Sequence, residues 1–124
     1  RPPRVFYNAP DGSFRIGIHI QKPHPDGPLG AMRDSHASGP EDLPGYRDAS
    51  VRETTYRGHP AAVWTFTWSG DAPDFDPAQG PRRTYDLAWE QDGKLYDIWV
   101  SSPLGDQATG KRHWETATDT FATD

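Results

Sequence analysis

Cysteine is missing from this 124-residue chain, so neither a disulfide framework nor a thiolate metal site can form. That leaves the compartment open, because a cysteine-free domain works on either side of a membrane. Long apolar runs are missing too. Nothing approaches the ~20 consecutive apolar residues a membrane helix needs, and no signal-peptide pattern opens the chain. Basic clusters are scarce: the longest is Arg82-Arg83, and the net charge is -5. Nucleic-acid domains carry a basic face, so a nucleic-acid partner is not expected. Apolar residues of any kind are few, at 33% of the chain with a mean hydropathy of -0.90.

Aromatic rings make up for that shortage, with five Trp, five Tyr and five Phe. Each ring residue buries ~150–250 Å², worth roughly 4–6 kcal/mol before entropy is subtracted. Thirteen Pro and twelve Gly imply many loops and short elements, at a level below that of a disordered chain. The length fits one domain over residues 1–124. Its opening, Arg1-Pro2-Pro3-Arg4, is unlike a natural initiation site, and we expect the domain to be cut from a longer chain.

Three runs between Tyr56 and Val100 carry the architecture: residues 61–69 (AAVWTFTWS), 83–91 (RTYDLAWEQ) and 94–101 (KLYDIWVS). In the first, Ala62, Trp64, Phe66 and Trp68 fall on one face and Val63, Thr65 and Thr67 on the other. A period of two in aromatic and β-branched residues marks a half-buried antiparallel strand. The last two runs join through Asp92-Gly93, a pair suited to a type I′ hairpin. Residues 5–8 and 13–21 read as a second hairpin around Pro10-Asp11-Gly12, and 46–56 as a strand nearer an edge. A helix is predicted from Pro28 to near Ser38–Gly39, with Leu29, Met32 and His36 on one face. A second is predicted from Gln107 or Lys111 to Phe121, with Trp114, Ala117 and Phe121 on one face and Asp106 as its cap. Residues 70–81 read as a long polar loop.

Catalytic chemistry finds no motif. His19, His24, His36, His59 and His113 show no paired metal-ligand spacing, although His24 and Asp26 share a loop. Asp71, Asp74 and Asp76 lack the central Gly and closing carboxylate of a calcium loop. Asp86 and Asp97 sit on strands joined by the hairpin and can approach across the ladder, with Glu90 nearby; the simplest account is a polar sheet face. Ser50, Ser101 and Ser102 have no nucleophile-elbow context, and His113 and Asp119 fall on different faces of one helix. No catalytic, cofactor-binding or metal-binding residue is assigned.

The aromatics read first as core. Trp64, Phe66 and Trp68 are expected to form a cross-strand ladder with Tyr85, Leu87 and Trp89. Trp99 is expected on the face opposite Tyr96, Ile98 and Val100, where a helix covers it or an interaction patch is left open.

One pattern runs through nearly the whole chain, from about Val5 to Phe121. The segments Gly45-Tyr46, Val51, Tyr56-Arg57-Gly58-His59-Pro60-Ala61-Ala62-Val63-Trp64 and Tyr85-Asp86-Leu87-Ala88-Trp89 resemble the C-terminal extracytoplasmic domain of receptor-like serine/threonine protein kinases of high-GC Gram-positive bacteria. Val5-Phe6-Tyr7 and Phe14-Arg15-Ile16-Gly17-Ile18 look like that family's first hairpin, and residues 28–36 like its helix. The resemblance implies an α+β fold, the α/β/α sandwich of PsbP-like proteins, with a central antiparallel sheet of five or six strands. Family members usually carry a further strand and a Gly-Trp turn before the first hairpin; this sequence opens after that point.

The resemblance also implies a non-catalytic sensor or binding module outside the membrane, joined by one span to a cytoplasmic kinase. Kinase signatures such as Gly-x-Gly-x-x-Gly and His-Arg-Asp are absent from the chain itself. The alternative is a stand-alone secreted protein or lipoprotein of the same fold, acting in protein–protein contacts. The partner stays open between a small molecule, a cell-wall fragment and a protein, and the oligomeric state is open as well, a dimer included.

Overall fold

A computed structural model describes residues 4–8, 14–70 and 80–121. Six strands form one antiparallel sheet: β1 (Arg4–Asn8), β2 (Arg15–Gln21), β3 (Arg47–Tyr56), β4 (His59–Trp68), β5 (Arg82–Gln91) and β6 (Lys94–Pro103). Their spatial order is β1-β2-β6-β5-β4-β3. Helix α1 (Gly27–Asp42) follows β2 and packs on β3, β4 and β5; α2 (Gln107–Thr120) follows β6 and packs on β5 and β6. The two helices lie on opposite faces, which completes the α/β/α sandwich.

Registers explain the two core layers. Across β4 and β5, Trp64 faces Asp86, Phe66 faces Thr84 and Ala61 faces Trp89. Across β5 and β6, Trp89 faces Tyr96, Leu87 faces Ile98 and Tyr85 faces Val100. The layer under α2 therefore holds Trp89, Ile98 and Val100, each fully buried, with Trp114 from the helix. Trp89 stacks on Tyr96 with ring centroids 5.1 Å apart, and Trp114 donates its indole N–H to the Ile98 carbonyl at 3.1 Å. The layer under α1 holds Met32, Ala62, Trp64, Phe66 and Trp68. The expected ladder between Trp64/Phe66/Trp68 and Tyr85/Leu87/Trp89 does not exist. The strands are neighbours, but their pairing sets even positions against even, so the two aromatic groups face opposite ways. A slip of one residue inverts every side chain, and a long polar connection between β4 and β5 leaves that parity unspecified.

Helix α1 runs past its expected end at Gly39 and includes Pro40. Gly39 lies under the Tyr46 ring so closely that a Cβ would come within 2.6 Å of it, so this glycine is a packing residue instead of a stop. The chain closes at Leu43, whose N–H donates to the Gly39 carbonyl at 2.8 Å. Helix α2 begins as expected after Asp106, but that side chain makes no capping bond; a 3₁₀ turn over Leu104–Asp106 leads in. At its other end, Arg57 from the β3–β4 turn donates to the Asp119 carbonyl at 2.8 Å, and the Tyr56 hydroxyl donates to the Thr118 carbonyl. A guanidinium on the last carbonyls also complements the helix dipole. The Pro10-Asp11-Gly12 turn and the Asp71, Asp74 and Asp76 loop lie outside the described residues.

Close approach of α2 to β6 depends on Gly110. A Cβ there would sit 2.3 Å from the Ser102 hydroxyl, and Ser102 is fully buried. Alanine would gain about 1 kcal/mol of helix propensity, yet overpacking typically costs about 1–3 kcal/mol. Gly110→Ala is therefore expected to lower stability in urea unfolding, and to cost less in a Ser102→Gly background. An equal cost in both backgrounds would show that this contact does not set the helix–sheet distance.

Candidate functional site

Helix α1 packs chiefly on β3, β4 and β5, and on the same face the sheet continues beyond it through β6 and β2. A cleft of about 620 Å³ opens there, walled by α1 on one side and by residues 22–25 on another. That volume lies within the usual range for small-molecule sites. Its floor is the row that runs across the sheet at one level: Trp64 on β4, Asp86 on β5, Trp99 on β6 and Gly17 on β2, each directly opposite the next. Directly opposed side chains have Cβ atoms ~5 Å apart, so Asp86 stands between two indoles. Gly17 is required by this arrangement: the Trp99 indole lies over it, within 2.2 Å of where a Cβ would be. Trp99 thus takes the face opposite Ile98, as expected, and borders an open cleft.

The next row is equally telling. Ala88 on β5, Asp97 on β6 and His19 on β2 stand side by side, so Asp97 is a diagonal neighbour of Asp86 on the same face. The two carboxyl groups are joined by a hydrogen bond. Asp86 is only 5% exposed, and its Oδ1 has no hydrogen-bond partner among the described residues. Burial, then the charge of Asp97, then that shared hydrogen bond push the Asp86 carboxyl well above the usual carboxylate range. Expectation treated these residues as a polar sheet face in water. The structure places them at the bottom of an aromatic cleft, whereas Glu90, opposite Leu95, is not one of the residues lining it.

Surrounding contacts fix the walls. The Tyr46 hydroxyl accepts the Trp64 indole N–H at 2.8 Å and meets His36 Nδ1 at 2.6 Å. Burial raises the Tyr46 pKa, opposed by the Trp64 bond. On the floor, Ser101 accepts Arg82 Nε–H at 2.8 Å and its carbonyl accepts Nη2–H at 3.0 Å. Burial and the neighbouring Arg15 lower the Arg82 pKa to about 10, still charged at neutral pH. At the rim His24 Nδ1 accepts the Asp26 N–H at 2.9 Å, and Nε2 pairs with Asp34 at 2.7 Å.

The other sequence candidates stay dispersed. Among the described residues no three metal-ligating side chains come together. His59 begins β4, and His113 on α2 packs edge-on to Phe14 at 5.0 Å. Ser50 bonds Thr65, and Ser102 is buried under Gly110.

Linkage gives the carboxyl pair a signature. The Asp86 pKa is higher folded than unfolded, so the native state holds more protons, and stability falls as pH rises from about 4 through the raised value. Asp86→Asn removes that term. The variant should melt above the wild type at neutral pH, and the gap should close as the buffer approaches pH ~4. A variant that melts lower at pH 7 would mean the ionised pair holds the fold together.

Comparisons with known proteins agree with this architecture. No curated protein matches the chain significantly. Among solved structures, the Pseudomonas aeruginosa protein of unknown function PA94 superposes with a TM-score of 0.71 at 12% identity, covering 100% of this chain and 83% of its own. CyanoP, the cyanobacterial PsbP of Synechocystis, gives 0.62 at 12% identity, covering 98% and 82%. LpqN of Mycobacterium tuberculosis, involved in cell envelope biogenesis, gives 0.60 at 12% identity, covering 94% and 68%. At such identities the likeness is one of fold, and the fold is PsbP-like. Sequence places it more closely: residues 1–123 match the serine/threonine kinase C-terminal domain family, and the chain belongs to that family.

Proposed function

We propose that this chain is the extracytoplasmic ligand-sensing domain of a membrane-anchored serine/threonine kinase, without catalysis of its own. The observation that carries this reading is the ~620 Å³ cleft, floored by indoles and opening beside α1, in a chain of the kinase C-terminal domain family. No helix among the described residues is long and apolar enough to cross a membrane, so any span would lie in another segment of the parent protein. A fold shared with a cell-envelope protein supports a place outside the cytoplasm.

Binding is favoured over turnover by the carboxyl geometry. Glycosidases hold their two carboxyl groups ~5–9.5 Å apart, with the sugar or a water between them. Here the two groups are bonded to each other, which leaves no room for a sugar or a water between them. A ligand seated in the cleft would act on the attached kinase only through differential affinity for two arrangements of the parent protein, such as separate and associated chains. The ligand is a small molecule, a wall fragment or a segment of a protein; the net charge of -5 disfavours nucleic acid.

Two measurements test the reading. Protease added to intact spheroplasts carrying the full-length parent is expected to digest this domain and spare the kinase domain. Protection of this domain until lysis would place it inside and end the sensing proposal. For the cleft, Met32 is the only methionine and lines the wall, so its labelled methyl group is a single reporter. A fragment library should yield ligands that shift this signal, and a library that leaves it unmoved would remove the cleft as the binding site.

A further inference from the structure

Resting on that reading of the cleft, we infer that its occupant is a small organic cation, an ammonium group on an apolar body, with its charge on Asp86 and its body against the flanking tryptophans. Three observations carry this. Asp86 stands directly between Trp64 and Trp99 in the sheet, a carboxyl group flanked by two indoles. Its Oδ1 is buried, has no hydrogen-bond partner among the described residues, and belongs to a residue that lines the cavity. A buried carboxyl oxygen in that state is costly until a donor reaches it. Finally, the rest of the lining is chiefly apolar, with Phe66, Trp68, Met32 and Leu95 around the pair.

Each feature selects among ligand classes. Indole faces carry negative potential and attract cations, an effect that grows when water is excluded. An anion would meet both the carboxyl pair and those faces unfavourably. A bare metal ion would lack ligands, since among the described residues no third metal-ligating side chain joins Asp86 and Asp97. An uncharged hydrocarbon would fill the volume and leave Oδ1 without a donor. An ammonium N–H or a polarised N-methyl group satisfies the carboxylate and the rings together. The chain's net charge of -5 adds a weak long-range attraction.

Titratable neighbours shape the pH response. Asp97 comes from β6, His19 faces it from β2, and Lys22 and His24 come from the loop before α1; α1 itself contributes Ala31, Met32 and Ser35, none of which titrates. Cation binding needs Asp86 ionised, so affinity should rise with pH. Loss of a proton from His19 would act in the same direction, and variants must separate the two.

The test uses the isolated domain, the Met32 methyl signal and two probes: choline and its uncharged isostere with carbon in place of the quaternary nitrogen. We expect choline to bind the wild type about tenfold or more tighter than the isostere, and to tighten from about pH 5 to pH 8. Asp86→Asn should erase both the preference and the pH rise while leaving the fold intact. Trp99→Ala should weaken choline more than the isostere, and His19→Gln should keep the preference for charge. Equal binding of the two probes by the wild type overturns the cation and leaves the ligand site standing. A charge preference that survives in Asp86→Asn also overturns it. Failure of both probes, in a protein whose Met32 signal answers other fragments, sinks the cation alone; silence to every fragment sinks the ligand site as well.

Discussion

A two-residue turn decides which way every side chain in the middle of this sheet points. Asp92 and Gly93 both adopt positive φ, at 53° and 72°, the backbone that matches strand twist in a tight hairpin. With Gln91 thereby set against Lys94, Trp89 must meet Tyr96 on one face, and Asp86 must meet Trp99 on the other. Everything else inherits that parity. The α2 layer receives the stacked rings, and the α1 layer receives the carboxyl pair. Had the turn held one residue more, the Asp97 carboxyl of β6 would have entered the packed core, where an unpaired charge costs several kcal/mol.

The two layers then divide the labour. Under α2 the packing is closed: Trp89, Ile98 and Val100 have no measurable exposure, and Gly110 lets the helix sit directly on Ser102. Under α1 the sheet is broader than the helix that covers it, and the cleft opens along that margin, its lining drawn from β4 and β5 as well as from β6 and β2. Burying the Asp86 carboxyl there, with Asp97 half-buried beside it, destabilises the fold relative to an apolar replacement. Their placement among indoles, beside a glycine that makes room for Trp99, brings no gain in stability, and the proposed ligand site rests on it. A perturbed carboxyl group in a cleft is a common mark of functional sites, and the geometry around Asp86 stands independently of its titration.

Much of this was legible in the residues. Alternation in residues 61–69 placed Trp64, Phe66 and Trp68 on one face, and the Asp-Gly pair fixed the last hairpin. The Tyr56-Arg57-Gly58 motif, read as family resemblance, has a physical meaning: Arg57 and Gly58 turn with positive φ while Tyr56 and Arg57 hold the end of α2. What escaped was relational. The parity between β4 and β5 depends on contacts across a connection whose composition says nothing of register. From that single error came both the false ladder and the misjudged carboxyl pair, since Asp86 reads as solvated only while Trp64 is thought to face Trp89. Gly39-Pro40 misled for a different reason, because a local stop signal was outweighed by a tyrosine ring that needs a residue without a side chain beneath it.

The uneven quality of the two helices follows the same division. Helix α1 holds Gly30, Gly39 and Pro40 and has no side-chain cap, so little in its own sequence favours the helical state. It exists because Met32 is buried against the sheet and Tyr46 seats its last turns. A wall with such slight intrinsic stability can shift with modest changes in what it packs against, and elements of this kind are the ones that respond to ligands. Tyr46 links that wall to the floor, since its hydroxyl meets both Trp64 on β4 and His36 on α1. A ligand lodged beside Trp64, as proposed, would press on a hydrogen-bonded bridge that ties α1 to β4 through Tyr46. The α2 layer behind it, by contrast, is closed packing around Trp89, Ile98 and Val100.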